Sequence, residues 1–348
     1  MKDTKSATIV KEFLTKYPEL PSLTLAKIIY KKNKLRWSSV DGVRNMIKYY
    51  RGQDGDRNRG KLADNTFVKP AGKLCPFDAL PEPIKSLHDW KPYPVSGENI
   101  LALFDLHIPF YAKPELGLVL KYAKKRVPDT IILGGDIIDF YSCSFWSTDP
   151  QVRNMLRDIS QTLMILKCLR DSFPDTRIVF KVGNHEERLE RYIRVKAADL
   201  IEGKAEDMPD DPIFKDIDIV KNFRKIIKAD NLGIDVVENK RILKVGKHLH
   251  IIHGHEFGGG ISVPVNPART LFLRGKEIAM CGHFHQSSQH SVKTMGEKNI
   301  ACWSVGCMCD LHPEYRPINE WNHGFAYIET SGDDFEVENK RIINMKIH

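Results

Sequence analysis

The fold of this 348-residue chain is most constrained by a series of apolar runs, each ended by a short polar motif. The first runs are NILALF at 99–104, TIIL at 130–133 and RIVFKV at 177–182, with helical patterns at 113–126 and about 151–172 between them. Continuous apolar runs that alternate with helices predict βαβ units whose sheet is covered on both faces. Shorter β runs follow from residue 234 to residue 330. We therefore predict an α/β fold, a two-sheet α/β sandwich with its functional site at the strand ends.

Five polar motifs stand in order at the ends of these runs. Aspartate and histidine together suit divalent metals such as Mn, Fe, Zn, Ni or Co. Residues i and i+2 of a strand point to one face, so Asp105 and His107 should bind one metal together, as should His283 and His285 if the chain stays extended. The motifs are Asp105-Leu106-His107, Gly134-Gly135-Asp136-Ile137-Ile138-Asp139, Gly183-Asn184-His185-Glu186, His253-Gly254-His255 and Gly282-His283-Phe284-His285.

Each motif taken singly has an ordinary structural explanation. The aspartate of GGDIID could cap a helix, GNHE could be a turn, and HGH could be a histidine-containing loop. Five such motifs in this order, all at strand ends, are not expected by chance.

The ordered set resembles the calcineurin-like metallophosphoesterase superfamily, which includes protein phosphatases, SbcD-like nucleases and cyclic-nucleotide phosphodiesterases. The resemblance covers about residues 99–330 and does not extend to residues 1–70. It implies a four-layer sandwich and hydrolysis of phosphoester bonds by two divalent metal ions. Manganese is the expected metal, and iron, zinc, nickel and cobalt are compatible with the same ligands.

The resemblance also implies a role for individual residues. Asp105, His107 and His285 would bind the first metal, Asp136 would bridge, and Asn184, His253 and His283 would bind the second. His185 would be the general acid or would stabilise the transition state. His253 is preferred over His255 because it directly ends an apolar strand, and His255 is the alternative ligand. Asp139 and Glu186 are expected to support the ligands. Arg188 is either a phosphate contact or a solvated helix residue.

Basic charge is concentrated at the N-terminus. The first 70 residues contain 16 Lys/Arg and 7 Asp/Glu, a net charge of +9, whereas the whole chain carries +8. Residues 5–51 read as three short helices, the third of which carries Arg44, Lys48 and Arg51. This pattern predicts a helix-turn-helix-like module that binds DNA or RNA through these three residues. The alternative is a basic helical domain that is merely solvated.

These patterns divide the chain into a basic domain at 1–60, a linker at 61–98 and a metallophosphoesterase domain at 99–348. A charged helical insertion is expected at about 186–232. The residues from Ser38 to Asp41 resemble a capping box for the third helix.

We interpret the chain as a phosphodiesterase that acts on nucleic acid. The alternatives are a phosphomonoesterase or a nucleotide or phosphoprotein phosphatase, and, in another class, a non-catalytic binding scaffold. GNHE-x-R and the late GCMCDLHPEY segment resemble phosphoesterases encoded by phages and mobile elements. A phage-encoded protein of this kind would act in the host cytoplasm.

The remaining features are less specific. The chain has seven cysteines, and no apolar run is long enough to span a membrane. We therefore expect a cytoplasmic protein with reduced thiols and no membrane partner. Cys302, Cys307 and Cys309 could form a zinc site with His312, but their spacing fits small buried strand residues better. A dimer is compatible with the sequence, which contains no signal for one.

Overall fold

A computed structural model describes residues 5–62, 65–68, 90–146, 148–196, 223–238, 240–258 and 265–348. The chain forms two compact units, residues 1–86 and residues 87–348. None of the helices in these described ranges is long and apolar enough to cross a membrane.

The first unit is helical. Its small core contains Val10 and Leu14 of the first helix, Leu25 and Ile29 of the second, and residues of the third. These side chains recur three or four residues apart, so each helix buries one stripe. The helices are α1 (Lys5–Lys16), α2 (Ser22–Lys32), α3 (Val40–Tyr50) and the single turn α4 (Asp56–Arg59).

Two details of this unit differ from the sequence expectations. The residue that caps α3 is Ser39, whose hydroxyl oxygen accepts a hydrogen bond from the Gly42 amide, and not Ser38. The connection between α2 and α3 spans residues 33–39. This connection is longer than the turn of about three to four residues that defines a helix-turn-helix.

Arg51 is a correction to the predicted nucleic-acid contacts. Its side chain is buried, and its guanidinium donates hydrogen bonds to the Ser22 hydroxyl and the Pro18 carbonyl oxygen. Because these contacts tie the end of α3 to the start of α2, Arg51 stabilises the helical unit and is not available to a phosphate. Arg44 and Lys48 are half-buried.

The second unit contains two sheets. In the seven-stranded sheet, β2, β3, β4 and β5 are parallel neighbours, and β11, β12 and β13 extend it with antiparallel pairs. Its strands are β2 (Asn99–Leu103), β3 (Thr130–Leu133), β4 (Arg177–Lys181), β5 (Ile234–Val237), β11 (Gly324–Ser331), β12 (Asp334–Ile343) and β13 (Lys346–Ile347).

The six-stranded sheet has the order β1-β6-β7-β8-β10-β9. In this sheet β7 and β8 are parallel, so their carboxyl ends lie at the same edge. Its strands are β1 (Tyr93–Val95), β6 (Leu243–Val245), β7 (Leu249–Ile251), β8 (Ala279–Cys281), β9 (Ser288–Lys293) and β10 (Asn299–Ser304).

The two sheets pack face to face between two layers of helices. Residues such as Ile132 and Val179 of the larger sheet meet Val245 and Met280 of the smaller one. The outer faces are covered by α5 and α6 on the larger sheet and by α10 on the smaller. The predicted two-sheet α/β sandwich is therefore confirmed, with four layers. The helices of this unit are α5 (Lys113–Arg126), α6 (Met155–Ser172), α7 (Glu187–Lys196), α8 (Phe223–Ile226), α9 (Ala229–Leu232) and α10 (Pro267–Gly275).

The element boundaries refine the predicted organisation. β1 lies inside the segment 61–98 that was expected to be a linker, and it pairs with β6. Residues 69–89 of that segment lie outside the described residues. The expected insertion at 186–232 contains α7, α8 and α9, and its central part, residues 197–222, also lies outside them.

Candidate metal centre

The polar motifs converge because they follow strands that end at the same edge. Asp105 and His107 follow β2, Asp136 follows β3, and Asn184 and His185 follow β4. Parallel strands present their carboxyl ends together, where ligands are typically bound. The smaller sheet adds one residue after β7 and two after β8, namely His253, His283 and His285. The structure thus brings all seven expected metal ligands and His185 into one cluster, in which Asn184, His185 and His283 are half-buried and the others are buried.

We call Asp105, His107 and His285 the first ligand group. The Nε2 atoms of His107 and His285 are 3.1 Å apart, and Nε2 of His285 is 3.3 Å from Oδ1 of Asp105. Two ligands that each lie about 2.1 Å from one metal are roughly 3.0–3.4 Å apart at octahedral or tetrahedral angles. These two distances fall in that range, whereas Nε2 of His107 and Oδ1 of Asp105 are 3.8 Å apart, so a bound metal would draw these two ligands slightly closer.

The second ligand group consists of Asn184, His253 and His283, and both groups share Asp136. Oδ2 of Asp136 is 3.2 Å from Nε2 of His253 and 3.9 Å from Nε2 of His107. Oδ1 of Asn184 is 3.2 Å from Nε2 of His253, and Asp136, His253 and His283 offer ligand atoms within 4.8 Å of one another. A carboxylate between two ligand groups could serve both ions of a two-metal site.

The aspartate oxygens show that the cluster is suited to cations. Oδ2 of Asp105 accepts a hydrogen bond from the His283 amide, and Oδ1 of Asp136 accepts one from the His185 amide. The other oxygen of each carboxylate faces the cluster. Oδ1 of Asp105 is fully buried and accepts no hydrogen bond, and Nε2 of His285 lies 3.3 Å from it. A buried carboxylate oxygen that accepts no hydrogen bond needs a nearby cation. A protonated histidine or a metal ion can supply that charge, so the residues present fit a bound metal.

The backbone at these residues is a correction to the sequence argument. Asp105 and His107 have φ of 53° and 48°, Asp136 has 52°, and His283 and His285 have 67° and 57°. These are left-handed conformations, so the ligands of one motif do not share a strand face as expected. They converge because a chain that leaves the strand in left-handed turns points its side chains back toward the sheet edge.

The charges of the cluster are strongly coupled. Burial opposes protonation of His253, but the carboxylates of Asp136 and Asp105 outweigh it and raise the pKa of His253 to about 10. Burial and the neighbouring His185 lower the pKa of His107 to about 4, and burial and His253 lower the pKa of His283 to about 4. A protonated histidine therefore balances the carboxylates, and a bound metal ion would take that place.

Asp139 organises one side of the cluster. Its Oδ2 is 2.9 Å from Nδ1 of His107 and 3.0 Å from Nδ1 of His185. Burial opposes ionisation of Asp139, but the two histidines outweigh it and hold its pKa below the usual range. A carboxylate that accepts from Nδ1 of a histidine fixes the tautomer that leaves Nε2 free for a metal.

Arg188 is half-buried, and its guanidinium is engaged by residues of the cluster. Its guanidinium donates to the side chain and the carbonyl oxygen of Asp139 and lies 2.7 Å from Nε2 of His185. Because a guanidinium only donates hydrogen bonds, Nε2 of His185 is the acceptor of this contact.

Glu186 supports the shared ligand. Its carboxylate accepts hydrogen bonds from the backbone amides of Asp136, Ile137, Ile138 and Gly183. Burial and the Asp136 carboxylate raise the pKa of Glu186 to about 7, while the four amide donors favour its charged form. Glu186 therefore binds the loop that carries Asp136 and not a metal.

Glu256 and Lys181 perform the same task for the second ligand group, and the sequence motifs did not identify them. Glu256 accepts hydrogen bonds from the amides of His253 and Gly254, and the buried Lys181 ammonium lies 2.8 Å from its carboxylate. Nδ1 of His253 lies 3.1 Å from the Gly134 carbonyl oxygen, so Nε2 faces the cluster. The adjacent His255 lies against Glu187 instead.

The first ligand group also has neighbours that the sequence did not indicate. The Trp321 ring packs on His285 with ring centroids 4.0 Å apart, and Sγ of Cys309 is 3.8 Å from Nδ1 of His285. Since Nε2 of His285 faces Asp105, Cys309 contacts the opposite side of the ring and positions it. Cys302, Cys307 and Cys309 are all buried, and Cys302 and Cys307 contact backbone carbonyl oxygens.

Comparison with known proteins gives distant likenesses. No protein-family model matches the chain. The Gene 54 proteins of Mycobacterium phage L5 and Mycobacterium phage D29 are each 24% identical over 255 residues, which cover 69% of this chain and 92% of the relative. Both relatives are phage proteins, in agreement with the phage-like character expected from the sequence.

Solved structures show a similar arrangement of elements at low scores. Vacuolar Protein Sorting 29 from Cryptosporidium parvum has a TM-score of 0.35 and 13% identity, over 72% of this chain and 95% of its own. The nuclease MPE of Pseudomonas putida has a TM-score of 0.31 and 12% identity, over 69% and 87%. TM-scores of this size support no functional inference, so the conclusions about the site rest on the residues of this chain.

Proposed function

We propose that the second unit hydrolyses phosphoester bonds with two divalent metal ions, and that its substrate is a phosphodiester of a nucleic acid. The observation that carries the proposal is the pair of ligand groups that share Asp136, together with the buried Oδ1 of Asp105, which accepts no hydrogen bond. Two-metal sites of this kind serve phosphatases, nucleases and polymerases. When bound, the ions would activate water and neutralise charge on the phosphoryl oxygens.

Protein side chains supply the proton donor and the phosphate contact. His185 lies at the cluster with Nε2 3.6 Å from Oδ2 of Asp136, and Asp139 holds its Nδ1. When a substrate phosphate draws Arg188 away from Nε2, this nitrogen can take up a proton from water and then donate that proton to the leaving oxygen. Arg188 is then a cation beside the phosphate, still anchored through Asp139.

The nucleic-acid substrate is supported by the charge of the first unit. With Arg51 buried, the basic side chains exposed to solvent include Lys27, Lys31, Lys34 and Arg36, on α2 and the segment after it. Contacts of lysine and arginine with phosphates supply most of the sequence-independent affinity for nucleic acid. We propose that these residues, with Arg44 and Lys48, locate the substrate.

A phosphomonoesterase would use the same ligand groups, so the test compares two substrates. The full chain is assayed with Mn²⁺ on bis-p-nitrophenyl phosphate and on p-nitrophenyl phosphate. We expect hydrolysis of the diester and a loss of at least about 100-fold in the Asp136→Ala variant. The His185→Ala variant should lose less on this ester than on an oligonucleotide, because p-nitrophenolate leaves without a proton. Asp171→Ala, an exposed carboxylate on α6, is the control.

Hydrolysis of the monoester alone would overturn the phosphodiesterase proposal. Metal binding without hydrolysis of either ester would favour a non-catalytic scaffold.

A second experiment tests the basic surface in the full chain. The variant Lys31→Glu/Lys34→Glu should bind DNA more weakly and reduce the slope of log K against log [salt] by about two. The matched control is Lys124→Glu/Lys125→Glu, which changes two exposed lysines of α5. Equal losses in both variants would contradict a DNA-binding role for the first unit.

A further inference from the structure

We propose that a cavity beside the second ligand group binds the nucleoside that stays attached to phosphorus during hydrolysis, an inference that rests on the proposed function. The cavity has a volume of about 340 Å³, within the range of about 300–1,000 Å³ that is typical of small-molecule sites. Asn184 and His283 form part of its lining. A group in the cavity is therefore adjacent to the site where the phosphate is expected.

The walls of the cavity suit a flat ring. Ile252 and Leu271 are buried apolar side chains, and Phe257 and Phe284 present aromatic rings that are partly accessible. Aromatic side chains stack on nucleobases without regard to sequence, because every base has a π face. A sugar or a second phosphate would gain little from such a lining.

Arg274 adds positive charge to this apolar site. Its guanidinium donates to the carbonyl oxygens of Phe257 and Gly258, and its Cζ lies 5.8 Å from the centre of the Phe257 ring. These contacts fix the position of Phe257. The combination of aromatic walls and a cation favours an aromatic ligand that carries an anionic group, which describes a nucleotide.

The position of His185 indicates whether the bound nucleoside is the one that leaves or the one that remains on phosphorus. Its ring contacts His107 and Asp139, on the side of the first ligand group, and the residues found to line the cavity do not include it. Because His185 is proposed to protonate the leaving oxygen, the cavity on the other side takes the group that remains on phosphorus.

Two esters with the same leaving group test this assignment. Thymidine 5′-(p-nitrophenyl phosphate) retains thymidine on phosphorus, whereas methyl p-nitrophenyl phosphate retains only a methyl group. We expect the variants Phe257→Ala and Phe284→Leu to lower kcat/KM for the thymidine ester about tenfold and to leave the methyl ester nearly unchanged. Leu273→Ala, an exposed residue of α10, is the matched control.

A binding measurement separates this inference from the proposed function. Calorimetric titration of thymidine 5′-monophosphate into the Mn²⁺-loaded protein should show weaker binding to both phenylalanine variants than to the wild type. Phenylalanine-dependent binding without hydrolysis of any ester would support the cavity and overturn the proposed catalysis. Equal losses for both esters, or binding that is the same in all variants, would overturn the cavity.

The retained nucleoside could belong to a free nucleotide or to a nucleic acid chain, and an oligothymidylate substrate distinguishes these sources. A loss in the phenylalanine variants on the oligonucleotide alone supports the cavity with a polymer as its source. A loss on the thymidine ester alone supports it with a nucleotide as its source. A loss on neither contradicts the assignment.

Discussion

In the first ligand group the imidazole of His107 is oriented by the Asp139 carboxylate, whereas in the second group the imidazole of His253 is oriented by the Gly134 carbonyl oxygen. The two supports differ in what else they hold. Asp139 also contacts His185 and Arg188. The loop of His253 is instead fixed by Glu256, which is paired with a lysine inside the protein.

Because of this difference, we expect the support of the first group to affect catalysis and the support of the second group to affect stability. The support of the first group also holds the residues that would handle the proton, so its loss should damage catalysis. The support of the second group is a buried ion pair between the end of β4 and the loop after β7, so its loss should damage folding as well. Four predictions test this contrast.

The largest effect is expected at the residue that the two groups share. Asp136→Ala removes a ligand from both groups, and kcat/KM should fall by about 1,000-fold or more, since a metal ion contributes several kcal/mol to such a transition state. Metal content per chain, measured on the purified protein, should fall with it. Retention of both metals and of activity would show that Asp136 is not the bridge.

The second prediction concerns the ion pair of the second group. Lys181→Met leaves Glu256 buried without its cation and should lower the free energy of unfolding by about 3–5 kcal/mol. The double variant Lys181→Met/Glu256→Gln should recover part of this loss, because no buried charge is left unpaired. Urea unfolding in the presence of a chelator measures both.

The exposed Lys167, which pairs with Asp171 on α6, provides the control for that experiment. Lys167→Met should cost less than about 1 kcal/mol, as exposed ion pairs do. Similar losses of unfolding free energy for Lys181→Met and Lys167→Met would show that the Lys181–Glu256 pair does not have the structural role proposed for the second group.

The third prediction concerns the support of the first group. Asp139→Asn should lower kcat/KM about 10–100-fold, the usual cost of losing a carboxylate that orients a metal-binding histidine. Its urea midpoint should change less than that of Lys181→Met. Asp171→Asn is the control, and a stability loss that exceeds that of Lys181→Met would contradict the proposed division of roles.

The smallest effect is a dependence of stability on pH. Burial opposes ionisation of Glu256, but Lys181 and the nearby histidines outweigh it and lower its pKa from 4.5 to about 2. A lowered pKa stabilises the folded state above pH 4.5, and this contribution is lost as the pH falls toward 2. The slope is at most about 1.4 kcal/mol per pH unit.

The variant Glu256→Gln lacks this contribution. The difference in unfolding free energy between wild type and variant should therefore shrink between pH 5 and pH 3, as measured by urea unfolding with a chelator present. A difference that is independent of pH would show that folding does not shift the pKa of Glu256.

The parts of the fold that could be predicted from sequence are those with strong apolar runs. The buried strands β2, β3 and β4 and the helix α5 stand where the pattern places them. β12 was not predicted because its sequence DFEVENKRII is polar and largely exposed near the edge of its sheet. α10 was also missed, although Asn266 before Pro267 is a recognisable helix start.

The metal ligands of the site could be predicted from sequence, whereas the residues that support them could not. The ligands belong to short motifs because each strand end contributes one motif. The order of these motifs can be read directly from the sequence. The supports are contacts between distant segments: Lys181 meets Glu256, and Trp321 meets His285. The residues around Lys181 in the sequence do not distinguish it from an ordinary lysine at the end of a strand.

The left-handed backbone at Asp105, His107, Asp136, His283 and His285 has a consequence for the evolution of such chains. Each of these conformations costs an aspartate or a histidine roughly 1 kcal/mol or more relative to a glycine. A lineage that kept the fold but lost the activity would gain stability by replacing these residues with glycine or asparagine. We therefore expect inactive descendants to change first at the metal centre, and to become more stable as they do.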